Sequence, residues 1–215
     1  MTIRLDVWTD IACPFCFIGS TQLTKAIDAF EHGTEVEVVD HAFQLDPNSP
    51  THTHESSAEM LARKFNVPVE QAQQMLDGTA ARAAAEGLNF DMERNVPVNT
   101  FDAHRLIQFA ATHGKRHQTL LRLYAAYFTN GESVADHATL KSIAAEVGLP
   151  ADEVSSMLET DAFAAEVHAD IQQAAAYGIN GVPFVVINNK YGISGAQGSE
   201  AFADALNTVW AETHA

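Results

Sequence analysis

The sequence predicts an α/β fold in which a strand–helix–strand unit opens the chain, an all-helical block follows, and two strands and a helix close it. Three observations carry this. Ile3, Leu5 and Val7 alternate with polar residues, and Val36 and Val38 alternate with Glu35 and Glu37, which is the period of two that marks strands. Between them Leu23, Ala26, Ile27 and Phe30 recur at spacings of three and four, the mark of one helix face. After Gly181 the period returns to that of strands in the short, β-branched run Pro183 to Ile187.

The first helix is expected to end at His32-Gly33, since glycine commonly follows a helix, and the second strand to span Glu35 to Phe43. Strand, helix and strand within 43 residues form a compact βαβ unit. In the middle block Ser56-x-x-Glu59 offers a capping box ahead of Met60 and Leu61, and Pro68 opens a Gln- and Ala-rich helix running towards Gly87. Further helical stripes are Leu106, Phe109 and Ala110; Leu120, Tyr124 and Phe128; Leu140, Ile143, Ala144 and Val147; and Val167, Ile171, Ala174 and Ala175. Breaks fall at Gly131, at Gly148-Leu149-Pro150 and at Gly178. Asn188-Asn189 offers a turn after which Tyr191 to Ser194 pairs back as a hairpin arm, and Phe202, Ala205, Leu206, Val209 and Trp210 make a closing amphipathic helix. There is no internal repeat and no low-complexity linker.

Composition removes several functions. The chain of 215 residues suits one moderate domain, or one carrying a large insertion, and can bury a real core. With 12 Lys and Arg against 28 Asp and Glu, a net charge of −16 opposes an electrostatic hold on nucleic acid or on anionic lipid. The longest apolar run, Val182 to Ile187, has six residues, whereas a membrane helix needs roughly 18 or more. The stretch Met1 to Asp10 alternates and carries two acids, so it reads as a strand and not as a secretory signal. Two cysteines this close together do not make a disulfide-stapled secreted scaffold, and the expectation is a cytoplasmic protein.

Those cysteines carry the chemistry. Cys13-Pro14-Phe15-Cys16 falls where the first strand gives way to the first helix. Helix N-terminal amides are unpaired and carry partial positive charge, which favours a thiolate over a thiol. Pro14 suits the first helical turn, where its missing N–H costs little. In that arrangement Cys13 is expected to be the exposed nucleophile and Cys16, one turn further in, the thiol that resolves a mixed disulfide. A CxxC pair is also half of a zinc site, but no second pair exists and the remaining ligands would have to come from among ten histidines, of which His52 and His54 lie in a polar, loop-like stretch. The strand-to-helix setting favours redox chemistry, with no metal.

The chain resembles the DsbA family of thioredoxin-fold oxidoreductases, and within it the FrnE-like branch described as polyketide-biosynthesis dithiol-disulfide isomerases. The resemblance is carried, in order, by Asp10-Ile-Ala-Cys-Pro-Phe-Cys-Phe-Ile-Gly19, Phe43-Gln-Leu-Asp-Pro47, Asn99-Thr-Phe-Asp-Ala-His-Arg-Leu106, Gly178-Ile-Asn-Gly-Val-Pro-Phe-Val-Val-Ile187 and Tyr191-Gly-Ile-Ser-Gly-Ala-Gln197. It implies a DsbA-like α/β architecture: a thioredoxin-like domain in two parts, residues 1–50 and 166–215, with an all-helical domain inserted at 51–165. It implies a cis Val182–Pro183 bond lying against the cysteines, with the backbone polar groups of Val182 left to pair with a bound thiol or peptide. Many periplasmic members have His where Phe15 stands, an imidazole that helps to hold the thiolate, so a less extreme oxidant is implied here. An extra C-terminal cysteine pair found in some FrnE-like members is absent, which leaves one redox couple.

Pro14, Phe15 and Val182 are thus the expected substrate contacts, joined by His104, which matches a recurring feature of the branch and could face the cleft; a histidine on an amphipathic helix is more often a packing or surface residue. The same discount applies to His41, expected near the helical domain. Trp8 and Phe17 read as core, and Gly195-Ala-Gln197 as a marker without a derivable role. The expected function is a thiol–disulfide oxidoreductase or isomerase acting on protein or small-molecule thiols and disulfides. It needs no bound cofactor, with glutathione or mycothiol as a possible co-substrate, and its oligomeric state is open. Two alternatives differ in class: a glutathione-dependent small-molecule isomerase or transferase of the same superfamily, and a non-catalytic zinc-binding module.

Overall fold

The computed structural model describes residues 2–213. The chain divides into two compact units, Met1–Leu45 with Ala169–Ala215, and Asp46–His168. The first unit is built on a four-stranded sheet formed by β1 (Ile3–Thr9), β2 (Val36–Ala42), β3 (Phe184–Ile187) and β4 (Tyr191–Ser194), in the order β2-β1-β3-β4. β1 runs parallel to β2, with Leu5 opposite Val38, and antiparallel to β3, with Leu5 opposite Ile187; β3 and β4 are antiparallel. The unit's helices are α1 (Pro14–Ala29), the later part of α8 (Ala164–Ala176), and α9 (Ser199–Thr213).

β1 is not the half-buried strand that its alternation suggested. From Leu5 to Thr9 every residue is buried. The cause is its central place in the sheet, covered on both faces. Ile3, Leu5 and Val7 join Leu23 and Ala26 of α1, Val185 and Ile187 of β3, and Phe202, Leu206 and Val209 of α9 in one core. Trp8 points the other way, into a layer with Val186, Ala174 and Ile179, against which Phe43, Val182 and Phe184 pack. α1 stops at Ala29 with an extended Phe30 as its cap, short of His32-Gly33, and a 3₁₀ turn over Gly33–Glu35 leads into β2. In the hairpin Asn188 and Asn189 both adopt positive φ and Lys190 N–H donates to Ile187 O at 2.9 Å, the backbone that a two-residue primed turn requires.

The second unit is helical: α2 (Ser57–Phe65), α3 (Val69–Ala85), α4 (Phe101–Ala111), α5 (Arg116–Tyr124), α6 (His137–Glu146), α7 (Ala151–Leu158) and the start of α8. The capping box forms as expected, with Glu59 N–H donating to Ser56 Oγ at 3.2 Å and Ser56 N–H to Glu59 Oε2 at 2.8 Å. A π-helical turn over Ala125–Thr129 prolongs α5. α7, whose Val154, Met157 and Leu158 are buried, had not been singled out: eight residues hold barely two turns of periodicity. No helix among the described residues is long and apolar enough to cross a membrane.

Candidate active site

β1 ends at Thr9, and a turn over Asp10–Ala12 delivers Cys13 to the head of α1. Asp10 organises that turn: its carbonyl accepts from Cys13 N–H at 3.0 Å, and its buried carboxylate accepts from Leu45 N–H at 2.8 Å. Phe43 N–H donates to Thr9 O at 2.9 Å, so the ends of β1 and β2 leave the sheet tied together. Cys13 is the N-cap of α1, in extended backbone with φ −93° and ψ 110°, and Pro14 occupies the first turn, where it leaves no donor unpaired. The Cys13 side chain caps nothing. Its sulfur donates instead to Val182 O at 3.4 Å.

Cys13 and Cys16 lie 3.3 Å apart and both are free thiols. A modest rotation of either side chain brings such sulfurs to the roughly 2.05 Å of a disulfide. The expectation of an exposed Cys13 fails: it is 4% exposed against 1% for Cys16. The Val182–Pro183 segment lies across it, and the open faces of the site are Pro14, Phe15 and Val182, all half-buried. Burial pushes the Cys16 thiol well above its ordinary value, and the hydrogen bond and charge it shares with Cys13 push the same way; the Thr9 hydroxyl and the Asp10 backbone oppose them in part. Cys16 is therefore held as a neutral thiol.

The Val182–Pro183 bond is cis. The Val182 carbonyl, expected to be left for a ligand, is occupied by Cys13. Two segments hold Pro183 in place. Gly195, at φ +84°, donates its N–H to Pro183 O at 2.8 Å, and Gly198 N–H donates to Gln22 Oε1 at 3.0 Å on α1. The Gly195-Ala-Gln197 marker thus acquires a role: it buttresses the proline, and only glycine reaches that φ without strain. From the other side Gly19 approaches so closely that a Cβ there would stand 3.0 Å from Pro183 Cγ and 3.6 Å from Ala196 Cβ. Gly19→Ala should therefore destabilise the protein by about 1 kcal/mol in urea unfolding, because an overpacking cost of about 1–3 kcal/mol exceeds the roughly 1 kcal/mol that alanine adds to a helix. A stabilised variant would show that the proline segment can retreat.

The structure thus brings Cys13, Cys16, Pro14, Phe15, Val182 and Pro183 together. Phe17 is buried, as its packing role required. His104 lies in α4 of the helical unit and is 2% exposed. Its neighbours in the Asn99–Leu106 segment are structural. Asn99 Nδ2 donates to Pro47 O at 3.0 Å and Ser49 O at 3.2 Å, and Asp102 accepts from Arg105 at 2.7 Å and lies 2.8 Å from His137 Nε2. Among the described residues no group of three or more His, Cys, Asp or Glu side chains is placed to hold a metal ion.

The first unit also holds a buried polar cluster that no local pattern in the sequence announces. His41 turns inward from β2, with Nε2 2.8 Å from Asp6 Oδ1 on β1 and Nδ1 2.7 Å from Asp170 Oδ1 on α8. Burial by itself would lower the His41 pKa, but the hydrogen bonds and charges of Asp170 and Asp6 outweigh it and raise the pKa above the ordinary imidazole value. Burial likewise acts to raise the Asp6 carboxyl, and Arg4 and His41 together hold it below the usual range. Adjacent acids and a histidine were visible in the strands, but their convergence depends on α8, 129 residues from His41.

Sheet order, the helical unit set into the chain, and a thiol pair at the head of α1 against a cis-proline define a thioredoxin-like α/β protein of the DsbA type. The chain belongs to the DSBA-like thioredoxin domain family, whose profile matches residues 4–207. It is 30% identical to the uncharacterized protein YwbO of Bacillus subtilis (strain 168), over 96% of this chain and 97% of that one. The crystal structure of a probable DsbA oxidoreductase from Streptomyces coelicolor superposes with a TM-score of 0.93 at 40% identity, covering 98% of this chain and 91% of that chain. The cytosolic disulfide reductase DsbM from Pseudomonas aeruginosa, in a structure with GSH, shares the fold at a TM-score of 0.66 and 15% identity, covering 96% and 98% of the two chains.

Proposed function

We propose that the protein is a thiol–disulfide oxidoreductase or isomerase of the FrnE-like branch, working through the Cys13–Cys16 pair in the cytoplasm. The observation that carries the reading is the placement of two free thiols 3.3 Å apart at a helix N-terminus, one of them far more firmly protonated than an ordinary cysteine. The Cys13 thiolate attacks one sulfur of a substrate disulfide; a Cys13–substrate disulfide forms and the other substrate sulfur leaves as a thiolate. Cys16 then gives up its proton and attacks Cys13 Sγ, the mixed disulfide breaks, and the second substrate thiol leaves. The substrate gains two electrons and the protein holds a Cys13–Cys16 disulfide. Two molecules of a low-molecular-weight thiol, glutathione or mycothiol, return the pair to dithiol and leave as one disulfide.

Phe15, Pro14 and Val182 offer the apolar, half-open surface on which a disulfide-bearing peptide or small molecule would lie. In a cytosol poised at roughly −220 to −320 mV an oxidised pair tends to be reduced, which favours reductase or isomerase work over net oxidation. The net charge of −16 opposes an electrostatic hold on nucleic acid or on an anionic membrane.

The test is accumulation of a mixed disulfide in Cys16→Ser. Mixed with an excess of glutathione disulfide, the variant should gain the mass of one glutathione at Cys13, and the adduct should outlast the corresponding species in the wild type by orders of magnitude. Absence of an adduct, with Cys13 shown to be intact, would defeat the mechanism. Undiminished turnover of a small-molecule isomerisation in Cys16→Ala would favour the glutathione-dependent alternative.

A further inference from the structure

We propose that His41 is a positioning residue for the Cys13 thiol: as an imidazolium shared between Asp6 and Asp170, it fastens the middle of α8, and through it the Ile179–Pro183 segment, to the sheet and so sets the Val182 carbonyl on the Cys13 sulfur. The inference rests on reading Cys13 as the attacking thiol.

The protonation state follows from the geometry. Both ring nitrogens face carboxylate oxygens, at 2.7 and 2.8 Å, and carboxylates only accept. A neutral imidazole has one N–H and would set its lone pair against the second carboxylate. Neither acid is placed to supply the missing hydrogen. Asp6 also accepts from Arg4, through Nη2 at 2.7 Å and Nε at 3.1 Å, and the second oxygen of Asp170 accepts from Ala42 N–H at 2.9 Å. The proton belongs on His41.

Trp8 completes the device. Its ring stacks on the imidazole at a centroid distance of 4.6 Å and 16° between planes, an aromatic face presented to a cation, and its Nε1–H donates to the Asp170 carbonyl at 3.0 Å. The same indole belongs to the layer of Ala174, Ile179 and Val186 on which Val182 and Phe184 pack. Asp170 is thus tied at one end of this stretch by His41, Trp8 and Ala42, and Val182 meets Cys13 Sγ at the other, 3.4 Å away. The charged groups facing His41 are Asp6 on β1 and Asp170 on α8; Arg4 pairs with Asp6, Glu37 on β2 acts on Arg4, and Tyr177 lies edge-on to Trp8. With His41 charged, two cations balance two anions across the layer. With His41 neutral, two carboxylates bracket an uncharged ring with one N–H between them, and the tie between α8 and the sheet is weakened to that bond and those from Trp8 and Ala42.

The direction is set by that balance. His41 stays charged below the ordinary imidazole pKa of about 6.5 and lets go only as pH rises through its higher folded value. Release takes the Val182 carbonyl from the Cys13 S–H, and a thiol freed from an acceptor that holds its proton ionises more readily. The loss of one such hydrogen bond corresponds to an alkylation rate about threefold to tenfold higher.

Two measurements on the full chain test this. Long-range ¹H–¹⁵N NMR of the His41 ring should show both nitrogens protonated at pH 7, and loss of a proton only above the ordinary histidine range. The pH profile of iodoacetamide alkylation at Cys13, read by peptide mass, should show a second step coincident with that titration besides the inflection of the thiol itself. His41→Gln should lack this step and react about threefold to tenfold faster at pH 7. A neutral His41 at pH 7, or a Cys13 profile that passes through the His41 titration without a step, overturns the proposal, and both are read on the wild type even if the variant does not fold. Alkylation of Cys13 does not require Cys16 to resolve anything, so this outcome stays separate from the trapping result in Cys16→Ser.

Discussion

Cys13→Ser abolishes thiol–disulfide exchange, lowering it to the rate of buffer alone, and Cys16→Ser retains the first half of the reaction. The asymmetry follows from how differently two neighbouring sulfurs are held. Cys16 is buried, is hydrogen-bonded to Cys13, and has its thiol pushed well above the ordinary value, so its thiolate fraction at neutral pH is negligible. Cys13 stands at the N-cap of α1, where unpaired amides and the helix dipole favour an anion. A serine hydroxyl in its place is not ionised at pH 7 and is a far weaker nucleophile towards sulfur. In the reduced wild type, limiting iodoacetamide should label Cys13 in preference to Cys16, since burial holds the Cys16 thiol protonated. Because the two residues act in sequence on one substrate, losses in Cys13→Ser and in the double serine variant should be equal and not additive. Preferential labelling of Cys16, or exchange surviving in Cys13→Ser, would reverse the assignment of roles.

Much of this site was legible because its signals are local. Spacing, and the change from strand to helix period, put Cys13 and Cys16 at a helix head, and the Ser56–Glu59 capping box needs only four residues to declare itself. What was illegible depends on distant pairing. β1 alternates like a half-exposed strand, but its partner β3 arrives about 180 residues later to make it central, and α1 and α9 cover one face while α8 covers the other. Nothing in the sequence around His41 announces Asp170; only the packing of α8 on the sheet makes the pair. Position at a helix head suggests an exposed Cys13, and here the Val182 carbonyl, which the chain delivers about 170 residues later, covers it. Gly195-Ala-Gln197 shows the reverse case, a segment recognisable by resemblance whose physical work, a hydrogen bond to Pro183 O, could be seen only in three dimensions.

The same distinction bears on Arg105, which sits beside His104 in a segment that resemblance singles out and which does the heavier structural work there. Its side chain is 6% exposed and its guanidinium serves four acceptors: Met157 O at 2.6 Å, Ala162 O at 2.8 Å, Thr160 O, and Asp102 Oδ1 at 2.7 Å. Met157 lies in the last turn of α7, and Thr160 and Ala162 follow it, so Arg105 satisfies carbonyls that a helix end leaves unpaired. α7 has eight residues, too few to persist on propensity alone, and its buried Val154, Met157 and Leu158 stay in place only while that end is held. Arg105→Ala removes the guanidinium from the Thr160 and Ala162 carbonyls, leaves Met157 O only its weaker bonds from Thr160, and takes from Asp102 its closest cation, a loss of roughly 3–5 kcal/mol. At roughly 2–4 °C per kcal/mol for a chain of this size, the melting temperature should fall by about 10 °C. Arg105→Lys should recover only part of this, because a single ammonium on a flexible stem cannot fork to three carbonyls and a carboxylate together. Urea unfolding followed by circular dichroism measures both variants. A loss under about 1 kcal/mol in Arg105→Ala would mean that water takes over those carbonyls and that the end of α7 is held by its apolar face alone.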